Sequence, residues 1–207
     1  EQPSPKGLPD AFLLGERFIG NDNVALILGD NFFYGQNLTK QLKNSAKLKS
    51  GAQVLLHKVN RPELYGVAKV KKNKVTSIKE KPKKFFSDLA ITGLYFFDNK
   101  VVSYSKKLKP SKRGELEITD LLKMYKNNKK LYVDYIGRGG AWLDTGSIED
   151  FYKTTAFVSS IENRQGLKIA CIEEIAFINK WINKIQIKNS IKFYGACEYS
   201  EYLKKLI

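Results

Sequence analysis

Val24-Ala25-Leu26-Ile27-Leu28-Gly29-Asp30-Asn31 is the stretch that decides the fold. Five apolar residues in succession follow the turn-forming pair Asp22-Asn23, and the run stops abruptly at Gly29 and Asp30. A strand covered on both faces needs such an unbroken apolar run, which is the habit of central strands in parallel sheets. Polar groups then appear at its C-terminal end, where open α/β sheets bind ligands.

Working outward, residues 8–19 place Leu8, Ala11, Phe12, Leu14, Gly15 and Phe18 near the 3.6-residue period of a helix. Downstream, the pattern predicts a helix over 37–49 and a strand over 52–59. Two strands, 65–70 and 75–79, surround a turn at Asn73, and an apolar strand follows over 89–97. Helices are expected at 98–107 and 116–127, and a strand at 131–136. From 147 onward the pattern is almost wholly helical, with segments near 147–163, 171–184 and 198–206. Strands alternating with helices predict a mostly parallel, Rossmann-like α/β sheet over residues 1–146. A helical region is expected over 147–207.

The net charge of +15 comes mainly from lysines scattered along the chain, because arginine is confined to Arg17, Arg61, Arg113, Arg138 and Arg164. Such scatter reads as a solvated basic surface and not as a nucleic-acid stripe. No apolar run approaches the ~18–20 residues that span a bilayer. Glu1-Gln2-Pro3-Ser4-Pro5 has neither the basic nor the apolar part of a signal peptide, so a cytoplasmic protein is expected. Cys171 and Cys197 form no metal-ligand spacing and are read as buried, reduced thiols. His57 sits in the apolar alternation of a strand and is read as structural.

Asp30 and Asp144 each stand where the chain leaves an apolar element, beside Gly29 and close to Gly146. Two carboxylates on separate loops suit Mg²⁺, which shares its remaining positions with phosphate oxygens and water. Lys81 follows a strand and precedes Pro82, while Arg113 precedes a helix start, a natural position for an anion ligand. Gln2 and Gly7 lie in a stiff Pro-rich loop, where an amide can read a base edge and a glycine admits a close approach.

Taken together, EQPSPKGLPDAF, LGDNFFYG, YGVAKV followed by EKP, ITGLYFFD, SKRGELEITD, GRGGAWLDTG and ENRQGLKIACIEEIAF resemble, in order and spacing, the sugar nucleotidyltransferases, and specifically their glucose-1-phosphate thymidylyltransferase branch. The resemblance runs from residue 1 to 207. It implies Mg²⁺ on Asp30 and Asp144, and thymine against Gln2 and Gly7. Glucose would lie among Asn31, Tyr65, Gly66, Glu80 and the backbone near Thr92, with its phosphate on the catalytic pair Lys81 and Arg113. It also implies dTTP and glucose 1-phosphate as substrates, a homotetramer, and no nucleic-acid or membrane partner. The family begins with a strand and a GGxGTRL-type phosphate loop that do not occur here, so the expectation is an N-terminally truncated chain that is inactive alone. Gln36 stands where many relatives carry His, in a segment that resembles part of a second, regulatory site. Uridylyl- or adenylyl-transfer, or a non-catalytic nucleotide-sugar-binding subunit, are the alternatives.

Overall fold

The computed structural model describes residues 2–207, so Glu1 of the opening motif lies outside the described residues. Contacts divide the chain into a unit that ends at Asp144 and a second over Thr145–Ile207.

The first unit runs α1 (Asp10–Leu14), α2 (Glu16–Ile19), β1 (Val24–Ile27), β2 (Asn31–Tyr34), α3 (Leu38–Ser45) and β3 (Ala52–Lys58). After a 3₁₀ turn at Pro62–Leu64 come β4 (Gly66–Lys71), β5 (Lys74–Glu80), β6 (Leu89–Phe97), α4 (Lys100–Ser105), α5 (Ile118–Asn127), β7 (Leu131–Tyr135) and β8 (Ala141–Asp144). The helix expected over 8–19 is broken in two at Gly15. The turn at Asn73 is a two-residue hairpin. Lys72 and Asn73 have φ of 49° and 56°, the left-handed pair that matches the twist of the flanking strands.

The main sheet has the order β5-β4-β6-β3-β7, with β1 also paired to β6. β3 and β7 are parallel, whereas β6 is antiparallel to β1, β3 and β4. It follows that β1, β3, β4 and β7 point one way, and that β6, with the hairpin strand β5, points the other. Four of the six strands thus share a direction, but reversed β6 lies among them, so β3–β7 is the one parallel ladder of this sheet and its other four are antiparallel. β6 earns that place by composition: every residue from Ala90 to Phe97 is buried.

Alternation along these strands feeds two apolar layers. Val54, Leu56, Tyr95 and Phe97 face Phe12, Val101, Leu121 and Tyr125 of α1, α4 and α5. Leu55, Leu94 and Phe96 face the opposite side, against Phe33, Leu38 and Leu42 of β2 and α3. Phe97 is fully buried, with ring centroids 5.2 Å from Phe12 and 5.5 Å from Tyr125. Burying one such side chain contributes about 1.5–3 kcal/mol. Asp98 closes the layer: its carboxylate accepts from Gly51 N (2.6 Å), Tyr125 Oη (2.8 Å) and Lys100 N (3.1 Å).

Two expectations need correction. The run from Val24 reads as doubly covered, but Ala25 and Ile27 are exposed, Ile27 by 59%. Among the described strands β1 pairs with β6 alone, so it has one ladder neighbour and one uncovered face. Residues 31–34 and 141–144, read only as chain leaving apolar elements, pair antiparallel as a separate two-stranded ladder.

The second unit consists of α6 (Ile148–Gln165), α7 (Ile172–Ile178), α8 (Lys184–Tyr194) and α9 (Glu198–Lys204). Ser147 caps α6 by accepting from Asp150 N, and Gly166, at φ 66°, ends it. Helix α8 escapes the apolar periodicity, but its start is a full capping box. Asn183 accepts from Gln186 N, and the Gln186 side chain accepts from Asn183 N. The small core of this unit is Cys171, Ile187, Tyr202 and Leu203. Around it, Tyr194 and Tyr199 donate to Glu173, and Tyr202 donates to Glu174. Cys171 is buried as expected. Cys197 is exposed, contrary to the sequence reading, because it precedes the first turn of α9 at the surface.

Candidate active site

β6 carries β3 on one edge, with an irregularity between Val54 and Leu56 opposite Thr92–Leu94, and its other edge is shared. β1 pairs along Leu94–Phe97, and β4 pairs at Ala90. Between them, at Ile91–Gly93, the chain leaves β1 through Leu28 and enters β4 through Tyr65. This fork opens into a cavity of about 240 Å³.

The floor of the fork is Gly93. Its carbonyl accepts from Leu28 N (2.9 Å), and its N–H donates to Asn31 Oδ1 (3.0 Å). A Cβ on Gly93 would lie 2.4 Å from Asn31 Oδ1, so only glycine lets the Asn31 amide reach the strand. Asn31 Oδ1 also accepts from Trp142 Nε1 (2.6 Å), and Asn31 Nδ2 donates to Asp30 Oδ1 (2.8 Å). Asn31 is thus a fixed hub whose donor and acceptor ends are both committed. The Trp142 ring packs edge-on against Tyr65 (5.0 Å) and His57 (6.2 Å).

The β2–β8 ladder sets Asn31 directly opposite Asp144, which puts Asp30 one residue beyond that pair. Two acidic residues 114 apart in sequence therefore stand at the same end of a short ladder. No group of three or more His, Cys, Asp or Glu gathers as a metal cage among the described residues. Asp144 lines the cavity and Asp30 stands outside its lining; two hard carboxylates at one end of the ladder fit an ion that keeps its remaining positions for substrate oxygens and water.

The opposite wall is cationic and acidic at once. Lys81 and Arg113 both line the cavity, with Glu80, Glu115 and Glu117. Lys81 has φ 36°, a left-handed backbone that costs a non-glycine residue about 1–2 kcal/mol. It is held there by Lys81 N donating to Tyr65 O (3.0 Å) and by the buried Pro82 that follows. Arg113 donates from Nε and Nη2 to the two oxygens of Glu117 (3.1 and 2.7 Å), with Glu80 at 3.9 Å and Glu115 at 4.0 Å. Burial alone would push the Glu117 carboxyl up, but bonds from Arg113 and Ser111 outweigh it and hold the group below the usual carboxylate range. Glu80 has no such close donor among the basic groups. Burial, reinforced by the charge of Glu117, pushes its carboxyl above the usual value.

Gly66 forms part of the wall, and a Cβ there would meet Thr119 Cγ2 at 2.8 Å. Thr92 itself is fully buried, with its hydroxyl donating to Leu55 O (3.0 Å), and only its neighbours Ile91 and Gly93 face the cavity. Gln2 and Gly7 stand apart from the cavity lining. Gln2 Nε2 donates to the buried Asp10 (2.8 Å). Gly7, at φ 95°, presses on the backbone of Leu116, where a Cβ would come 2.1 Å from its carbonyl oxygen. The close approach expected at Gly7 is thus made by the chain itself, and Leu116 N donates to Lys6 O across the same junction (2.8 Å).

Gly93, Trp142 and Glu117 were not among the residues singled out by sequence. Gly93 was detectable as a lone glycine inside an apolar strand, a usual mark of close approach. Glu117 carries no such mark, because its role depends on the loop that brings Arg113 back over it.

The model of the family described as nucleotidyl transferase matches residues 1–161. Glucose-1-phosphate thymidylyltransferase of Neisseria meningitidis is 48% identical over all 207 residues, and that of Neisseria gonorrhoeae is 50% identical. In each case the chain spans 72% of the relative's length. A solved UDP-glucose pyrophosphorylase with bound UDP-glucose superposes with a TM-score of 0.67 at 27% identity, covering 77% of this chain and 65% of that one. With Asp144 and Asn31 on one wall of the fork, Lys81 and Arg113 on the other, and these matches along its length, the chain belongs to the nucleotidyl transferase family, and its named relatives are glucose-1-phosphate thymidylyltransferases.

Proposed function

We propose that the fork is the sugar-phosphate half of a thymidylyltransferase site, where an oxygen of glucose 1-phosphate attacks the α-phosphorus of dTTP and pyrophosphate leaves. The observation that supports this most is the pairing of walls within one cavity: Asp144 and Asn31 on one side, Lys81 and Arg113 on the other. An anionic nucleophile must approach an anionic phosphate, so the protein's task is alignment and charge compensation, with no covalent protein nucleophile. Lys81 and Arg113 bind the sugar phosphate. Asn31, Tyr65, Gly66, Glu80 and the backbone beside Thr92 surround the hexose. Asp30 and Asp144 would hold Mg²⁺, which when bound offsets triphosphate charge and orients the leaving group.

Gln2 fits a base reader: with one Nε2 hydrogen given to Asp10, its Oε1 can accept the N3–H of thymine or uracil. The second unit exposes Ile172, Ile178, Trp181, Ile185 and Phe193 by 69–84%. Exposed apolar side chains of this kind fit assembly into a homotetramer, and light scattering of the purified protein tests it. No helix of the described residues is long and apolar enough to cross a membrane; a reaction between nucleoside triphosphate and sugar phosphate suits the cytoplasm.

The test is calorimetric binding of glucose 1-phosphate, and of each nucleoside triphosphate with Mg²⁺. Preference for dTTP is expected, with Asp30→Asn and Asp144→Asn each lowering Mg²⁺-dependent dTTP binding at least tenfold. Equal binding by both variants would remove the metal assignment.

A further inference from the structure

The Arg113 guanidinium meets Glu117 through one edge only. Nε and Nη2 donate to Oε1 and Oε2, while Ser111 Oγ donates to Oε1 at 2.6 Å. The Glu117 side chain is only 10% exposed, against 45% for Arg113. Both side chains border the cavity, Glu117 mostly buried in its wall and Arg113 the more exposed. Glu117 is the residue before the first turn of α5, yet its side chain does not cap the helix; both oxygens are spent on Arg113 and Ser111. Arginine has five N–H donors in a rigid plane, and a bidentate carboxylate on the Nε edge leaves the Nη1 donors for a second anion.

We propose that Glu117 is a positioning residue for the sugar-phosphate site, holding the Arg113 plane by its Nε edge so that the Nη1 end is presented to the phosphate. This inference rests on the reading of Arg113 as a phosphate ligand. Glu117 does not touch substrate; it acts through Arg113, with Ser111 fixing the carboxylate in turn. The opposing reading is simple electrostatics. Glu80, Glu115 and Glu117 surround one arginine, so deleting a carboxylate should make the site more attractive to anions. The two readings predict opposite signs for one substitution.

The experiment is calorimetric titration of glucose 1-phosphate, and separately of inorganic phosphate, into the wild-type chain, Glu117→Gln, Glu117→Asp, Arg113→Ala and Arg113→Ala/Glu117→Gln. Positioning predicts that Glu117→Gln weakens binding about fivefold to twentyfold although it removes a negative charge. Glu117→Asp should recover part of the loss, and Glu117→Gln should add nothing in the Arg113→Ala background. Unchanged or tighter binding by Glu117→Gln, with Arg113→Ala clearly weakened, overturns the positioning role and leaves the phosphate site standing. Normal binding by Arg113→Ala overturns the phosphate-site reading, and the inference with it. Thermal unfolding of each variant separates a folding defect. If Glu117→Gln does not fold, Ser111→Ala, which loosens the same carboxylate from the other side, must weaken phosphate binding in an Arg113-dependent way for the inference to survive.

Discussion

The two units of this chain are held together by different physics. The first buries a layered apolar core on both faces of a sheet and places its polar hydrogen bonds at the fork, where Asn31, Gly93 and Trp142 interlock. The second has four fully or nearly buried residues at its centre and gains the rest of its order from tyrosine hydroxyls on two glutamates. A large core tolerates local polar work, such as a strained Lys81 or a clustered Glu80, because the cost is spread over many contacts. A small core has no such reserve, so each of its members carries a larger share of the stability.

The sharpest way to break this contrast is Leu203→Ala. Leu203 is fully buried, and deleting such a side chain costs about 2–5 kcal/mol. In the second unit that is expected to unfold α7–α9 while the first unit stays folded. The chain has two tryptophans, Trp142 in the first unit and Trp181 in the second, so Trp181→Phe and Trp142→Phe backgrounds report each unit separately in urea. Coincident loss of both signals would show that the units do not unfold independently.

A smaller effect is expected at the fork. Gly93→Ala puts a methyl 2.4 Å from Asn31 Oδ1, and overpacking of this kind costs about 1–3 kcal/mol. The loss should appear in Trp142 fluorescence, because Asn31 is the acceptor for its indole, and leave Trp181 unaffected. An unaltered Trp142 signal would mean that the hub forms without the glycine.

The smallest expected difference is in pH dependence. For Glu173, burial raises the carboxyl, but hydrogen bonds from Tyr199 and Tyr194 more than offset it, leaving the folded value below 4.5. Its contribution is therefore present above the unfolded value and is lost as pH falls through the depressed one. Glu80 has the opposite sign: its folded value lies above 4.5, so ionising it costs stability. Relative to Glu80→Gln, acidification between neutral pH and about 4.5 should slightly stabilise the first unit, because the buried His57, held below its ordinary value, opposes Glu80 equally in both proteins, and the second unit should stay unchanged. Below that, Glu117 and Glu173 both weaken their units. Urea midpoints of the two tryptophan signals across pH 3–7 test the divergence, and parallel curves would contradict it.

What the sequence made legible follows from range. β6, the β4–β5 hairpin and α5 were readable because their signals are local: an apolar run, a left-handed pair, an amphipathic period. Asp30 and Asp144 stood out by the same local rule, at the ends of apolar stretches. The β2–β8 ladder that joins them was not readable, because four-residue strands far apart in sequence carry no periodicity of their own. Nor was the edge position of β1, since a hydrophobic run reports what could be covered and not what covers it. Glu117 looked like any acid at a helix start. Its meaning comes from the loop that returns Arg113 to it.

Gly93 also has a consequence for anyone reshaping this pocket by directed variation. Any side chain there must first displace the Asn31 amide, so variation at Gly93 disturbs the hub before it tunes the pocket. Variation has to be spent on the rim, at Leu64 or Glu115, where side chains face the cavity without carrying its floor. The pocket is thus divided into a constrained base and an adjustable mouth, and that division is set by one missing methyl group in the middle of β6.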